Sequence, residues 1–218
     1  FSNQAWPYVC LAELYEKKGD FSEAVRQWST VKTRFPALSR AYRGLASAYR
    51  LQGNYEAADN ILTIGKTRFP KDERQQSEYA EIAMSALHFE EARQRWEIFR
   101  IKFPNSPFGY RRGAEAYRIL GDFERAEALL QKAQLLFPKE IWPYEKYAEL
   151  AEAKKDFSSA LQRWTTVREK FPHAEVGYVR SISAARQSGS TSGIDELIQT
   201  AVDRFSSKPV FLLEQIKQ

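Results

Sequence analysis

Phe35-Pro36, Phe69-Pro70, Phe103-Pro104, Phe137-Pro138 and Phe171-Pro172 follow one another at intervals of 34 residues, and Phe205-Ser206 continues the interval. A fixed period of this length means one supersecondary unit copied and stacked on itself. Proline cannot continue a helical hydrogen-bond ladder, and it drives the residue before it out of the helical region. Each Phe-Pro pair therefore marks the end of a helix. Division at the prolines gives units 3–36, 37–70, 71–104, 105–138, 139–172 and 173–206, with 207–218 left as a partial or capping helix.

Each unit reads as two helices with a bend between them. Ala12, Ala46, Ala80, Ala114 and Ala148 share one column, and Ala24, Ala58, Ala92, Ala126 and Ala160 share another twelve residues later. Small side chains in such columns let two helices approach closely. Gly19, Gly53, Gly121 and Gly189 are placed to end the first helix, since glycine takes the left-handed conformation cheaply. Asp20, Asn54, Asp122, Asp156 and Ser190 can then cap the second helix, and Phe21, Tyr55, Phe89, Phe123 and Phe157 place an aromatic at the bend.

The columns Tyr8, Leu11, Ala12, Tyr15, Gly19, Ala24, Trp28 and Pro36, met again at Tyr42, Leu45, Ala46, Tyr49, Gly53, Ala58, Leu62 and Pro70, resemble the tetratricopeptide repeat. The resemblance extends over all six units. It implies an all-α fold: a right-handed α-solenoid of stacked helix–turn–helix repeats, built as one domain over 1–218. It also implies a protein-interaction scaffold whose concave groove takes a peptide or helical segment of a partner, without catalysis. Departures are Gln76 for the early aromatic, Leu87 and Lys155 for the bend glycine, Ile194 for alanine and Ser206 for proline. Phenylalanine stands before each proline where the family usually has a polar residue, and each ring is expected to pack against the start of the following hairpin. Some family members grip a chaperone's terminal carboxylate with a lysine and two asparagines. The matching positions here, Arg43, Ser47 and Glu78 or Arg111, Glu115 and Lys146, do not support that partner.

A second rhythm, of 68 residues, runs under the first. Trp28, Trp96 and Trp164 share a second-helix column in which the intervening units have Leu62, Leu130 and Ile198. Interdigitation of large and small core residues accounts for this, with ligand stacking as the other reading. First helices alternate in charge. Arg40, Arg43, Arg50, Arg111, Arg112, Arg118, Arg180 and Arg186 fall in even units, and Glu13, Glu16, Glu78, Glu81, Glu145, Glu149 and Glu152 in odd ones. These stripes can pair laterally, or the arginines can read an anionic partner through their forked guanidinium groups. Arg40, Arg43, Arg50, Arg111, Arg112, Arg118 and Arg180 are the groove candidates, with Arg111, Arg112 and Arg118 the densest group. Trp6, Phe108 and Trp142, at the entries of first helices, either pack on the preceding Phe-Pro corner or form an aromatic rim that anchors a peptide.

The rest of the chain argues against other classes. His88 and His173 are its only histidines and Cys10 its only cysteine, so no catalytic site, metal site or cofactor site is read. Ser188–Gly193 is rich in glycine but lacks the Gly-Lys-Ser/Thr ending of a phosphate loop, and reads as a loosened bend. The net charge of +5 is mild, and glutamates dilute the arginines, which speaks against nucleic acid and for a protein or peptide partner of acidic character. No apolar run approaches the ~18 residues of a membrane span, and a single cysteine fits a reducing, cytoplasmic compartment. The chain opens on Phe1 without a charged-then-apolar leader and is expected to be a processed product or an excised piece. It also has the style of repeats attached to bacterial glycosyl-, methyl- or sulfotransferases. The apolar stretch in Pro209–Gln218 is expected either to cap the last unit or to join two copies into a homo-oligomer.

Overall fold

The structure, a computed structural model, describes residues 4–190 and 193–205. Among these residues there are twelve helices and no strand. They are α1 (Trp6–Lys18), α2 (Phe21–Arg34), α3 (Ser39–Leu51), α4 (Tyr55–Arg68), α5 (Glu73–Ser85), α6 (Phe89–Lys102), α7 (Pro107–Ile119), α8 (Phe123–Leu136), α9 (Trp142–Ala153), α10 (Phe157–Lys170), α11 (Glu175–Ser188) and α12 (Ile194–Arg204). Successive helices pack on one another, and the fold is an all-α repeat solenoid. The chain forms two compact units, Phe1–Ala116 and Tyr117–Gln218, with the boundary inside α7. The proposed capping segment 207–218 lies outside the described residues.

The Phe-Pro corners end helices as the chemistry of proline requires. Phe35, Phe69, Phe103, Phe137 and Phe171 all have φ between −121° and −127° and ψ between 56° and 68°, outside the helical well, while each N–H still reaches back to the carbonyl four residues earlier. At the bends, Asp20, Asn54, Asp122 and Asp156 each accept the backbone N–H three residues on, at 3.0–3.1 Å. Ser190 does not cap its helix. Gly193 precedes α12 instead, so the last bend is the longer one that its glycine and serine content predicts.

Gly19, Gly53, Gly121 and Gly189 all have φ between 73° and 78°, and Leu87 and Lys155 are held in the same region at 61° and 58°. A β-carbon there meets the following carbonyl. Leu87 is 70% exposed, so its side chain has little packing to lose. Leu87→Gly is expected to raise stability by roughly 0.5–1 kcal/mol. A lowered urea midpoint would contradict that.

The alanine columns are the closest points of approach: all ten are at most 4% exposed. Trp28, Trp96 and Trp164 are at most 2% exposed, which settles their column as core. Across the first junction Gly44 lies against Trp28 so closely that a β-carbon would collide with the indole.

The corner phenylalanines also have aromatic partners that the sequence does not reveal. The rings of Phe35, Phe69, Phe171 and Phe205 lie 5.3–5.9 Å from Tyr8, Tyr42, Tyr144 and Tyr178, on the first helix of their own hairpin. Phe137 meets the following hairpin at Trp142, with centroids 5.9 Å apart. Coupling between hairpins passes through the tyrosines. Tyr42 and Tyr110 donate from their hydroxyls to the carbonyls of Pro36 and Pro104, the corner before them, at 3.2 and 3.0 Å.

The 68-residue rhythm also has a physical form. In the first unit the guanidinium of Arg95 on α6 lies 4.0 Å over the Tyr79 ring, donates to the Tyr79 carbonyl at 2.8 Å and binds Asp59 on α4. In the second unit Arg163 on α10 lies 3.7 Å over Tyr147, donates to its carbonyl at 2.9 Å and binds Glu127 on α8 at 2.5 Å. One junction in each unit is thus held by an arginine, and the junctions that carry a buried tryptophan use different chemistry.

Candidate partner-binding surface

In the first unit the first helices expose a face made by α3, α5 and α7. The residues three and four apart that do not enter the core project from it, as helical geometry dictates. A cavity of about 340 Å³ lies between α5 and α7, lined by Ser77, Glu78, Glu81, Phe108, Arg111 and Arg112 over Trp96. A second, of about 200 Å³, lies between α3 and α5 and is lined by Ser47, Arg50, Leu62, Glu78, Glu81 and Ser85, among others. Glu78 and Glu81 belong to both, so the two adjoin across α5.

The arginines divide into two sets. Arg40 pairs with Glu13, and Arg112 pairs with Glu81 through two N–H donors, one at 2.7 Å. In the second unit Arg180 lies 3.7 Å from Glu152. These three realise lateral pairing between neighbouring first helices. Arg50 and Arg111 are exposed and have no ion pair among the described residues, and neither has Glu78. Arg43 is half-buried and its Nε is buried without a partner. Arg118 lies in the last turn of α7, about two turns on from Arg111 along the same helix.

The aromatics differ from one another as well. Trp6 is 62% exposed, with the Arg40 guanidinium 5.7 Å from its ring, and Phe108 is 55% exposed at the cavity rim. Trp142 is half-buried against Phe137, the corner-packing arrangement.

Two carboxylates show how polar groups fare at these helix faces. Burial raises the pKa of Glu16 above the usual range even though the Trp28 N–H donates to it at 2.8 Å. Partial burial also acts upward on Asp72, but Ser39, the Gln75 N–H and the Arg43 charge outweigh it and hold this cap of α5 below its usual value. Trp164 donates to Glu152 at 2.7 Å in the same way as Trp28 to Glu16. In the third hairpin the matching residue is Met84, and the Trp96 N–H is buried without a partner.

The lining includes Ser77 and Trp96. Ser77 has no signal in the sequence, whereas Trp96 reads there as core with ligand stacking as the other reading. No group of three His, Cys, Asp or Glu side chains among the described residues could hold a metal ion, and no helix among them is long and apolar enough to cross a membrane.

Fold and surface together define a helical-hairpin repeat protein with a charged face on its first helices. Residues 11–58 match a tetratricopeptide repeat family model, and the fold is that of tetratricopeptide-repeat structures. No curated protein matches it. Its fold is similar to that of the C-terminal part of a tetratricopeptide repeat-containing protein from Cytophaga hutchinsonii (TM-score 0.67, 14% identity, covering 90% of this chain and 78% of that one). It is also similar to pilF of Pseudomonas aeruginosa (TM-score 0.63, 13% identity, 98% and 97%). A third similar structure comes from the APC/C hetero-tetramer Cut9–Hcn1 (TM-score 0.61, 13% identity, 96% of this chain and 42% of that one).

Proposed function

We propose that this chain is a non-catalytic scaffold that holds an acidic segment of a partner protein across α3, α5 and α7. The observation that carries this reading is the pair of adjoining cavities with an unpaired arginine in each, Arg50 on one side of α5 and Arg111 on the other. Arginine presents a planar fork that suits carboxylates, and an unpaired one has no intramolecular bond to give up on binding. Phe108 supplies the apolar contact beside Arg111. The paired Arg40, Arg112 and Arg180 set the flanking charge, and stacked hairpins hold the face in place so that little ordering cost is incurred on association. A hetero-tetramer among the similar structures, Cut9–Hcn1, supports a role in assembly with other proteins.

The test is quantitative affinity capture from the source lysate with the intact protein and with Arg50→Glu/Arg111→Glu, after circular dichroism shows both equally helical. The specific partner is expected to fall by at least about tenfold, the loss expected of an interface hot spot. An identical set of captured proteins at identical yield would rule the reading out.

A further inference from the structure

We propose that a second docking site lies at Gln76, away from α3–α5–α7 charged face, and takes the aromatic side chain of an acidic peptide segment. The position is conspicuous because it breaks a column. Tyr8, Tyr42, Tyr110, Tyr144 and Tyr178 occupy it elsewhere, and only the third hairpin has glutamine. In four of those hairpins the tyrosine ring covers the corner phenylalanine, and in three it also lies under a cation from the last turn of the second helix. Arg34 is 4.8 Å from the Tyr8 ring, Lys170 is 5.3 Å from Tyr144 and Arg204 is 5.8 Å from Tyr178.

Gln76 keeps the polar half of the tyrosine's role and lacks the ring. Its amide donates to the Lys66 carbonyl at 2.9 Å and reaches the Phe69 carbonyl at 3.4 Å, tying down the preceding corner as the Tyr42 hydroxyl does. No ring stands at this position, and Gln76 borders open space. A cleft of about 410 Å³ lies there, with Tyr79 and Phe99 as apolar walls, Ile98 at 65% exposure on its lip, and Lys66 and Lys102 among its lining. Without a tyrosine to cover, Phe103 turns to Phe99 with centroids 5.0 Å apart, and Lys102 is left 6.0 Å from the Phe103 ring.

The charges state which partner fits. Lys66 and Lys102 have no carboxylate partner among the described residues, and Lys66 sits 3.4 Å over the Tyr79 ring on which Arg95 also lies. Glu91, the one acid in the lining, is committed to Arg95 at 2.5 Å. Arg95 is itself 92% buried and its Nε carries no partner. An incoming ring between Phe99 and Lys102 reproduces the aromatic and cation–π contacts of the other hairpins, and flanking carboxylates meet the two lysines.

The test uses a fluorescein-labelled peptide with blocked ends, one phenylalanine flanked by two glutamates on each side, titrated against the full chain by fluorescence anisotropy. Companion peptides replace the phenylalanine by alanine or the glutamates by lysine, and a single-stranded oligouridylate represents nucleic acid. The acidic aromatic peptide is expected to bind in preference to all three. Gln76→Tyr, which puts the ring back, is expected to raise the melting temperature and weaken binding at least about tenfold, and Lys102→Glu to weaken it as much without restoring the ring. The cleft variants are read by peptide affinity and the α3–α5–α7 variants by capture of a partner, so failure here and failure of that reading are separate results. Binding that survives both cleft variants, that is matched by either companion peptide or the oligouridylate, or that is absent from the outset overturns the proposal.

Discussion

Trp164→Ala is expected to cost about 3–5 kcal/mol, the range for a large aromatic removed from a closed core. The indole is fully buried among Ala148, Ala160, Val167 and Ala184, whose small side chains cannot move in to fill the void. The change also removes the indole N–H that donates to Glu152. Trp164→Phe separates the two contributions, since it keeps most of the apolar volume and loses the hydrogen bond. The same change at Trp96 provides a reference, because the Trp96 N–H has no partner to lose. Trp164→Phe should therefore exceed Trp96→Phe by about 1 kcal/mol, the net worth of one hydrogen bond. Repeat arrays unfold in nearest-neighbour blocks, so the loss will show as an earlier transition of the second unit in urea monitored by circular dichroism. An alanine variant within about 1 kcal/mol of the parent would mean that this column is not the core of its hairpin.

The fold was legible because each of its rules repeats. Proline, bend glycine, cap and alanine recur at one spacing, and every recurrence strengthens the inference from the others. What stayed hidden was the direction in which side chains turn. A phenylalanine before a proline reads as facing the next hairpin, and its contact with the tyrosine 27 residues upstream, near in space and far in sequence, does not show in the pattern. The first-helix arginines were legible as a set, but which of them are spent on glutamates was not. Arg40 and Arg112 pair with Glu13 and Glu81, whereas Arg50 and Arg111 form no ion pair among the described residues, and a one-dimensional pattern does not carry that distinction. The break at Gln76 was visible from the first. Its consequence, a cleft where a ring is missing, needed the neighbouring hairpins in place.

The arginine–tyrosine junctions were the feature least foreseeable from sequence, because each joins three helices through residues 16 and 36 apart. They explain why units match the next but one better than their neighbours. A tryptophan junction needs small residues opposite an indole, and an arginine junction needs an acid on the preceding second helix and a tyrosine between. Alternating the two along the chain keeps a hairpin from pairing equally well with the wrong neighbour, since its two faces demand different partners.

Arg95→Ala tests such a junction and is expected to cost about 2–3 kcal/mol. Removing one member of a fully buried ion pair commonly costs about 3–5 kcal/mol, but the acids left behind here can be rehydrated, so the lower figure applies. The Asp59 and Glu91 side chains are 35% and 47% exposed. What cannot be recovered is the hydrogen bond to the Tyr79 carbonyl and the stacking on its ring. Arg95→Lys should lose nearly as much, because an ammonium group has no planar fork to meet Asp59, Glu91 and a carbonyl while lying flat on a phenol. A double-mutant cycle with Asp59→Ala then isolates the inter-hairpin part, with a coupling of about 1–2 kcal/mol that changes little between low and high salt because the guanidinium is buried. If Arg95→Lys is as stable as the parent, or the coupling vanishes in moderate salt, the contact is an ordinary surface ion pair, and the second hairpin is held to the third by apolar packing alone.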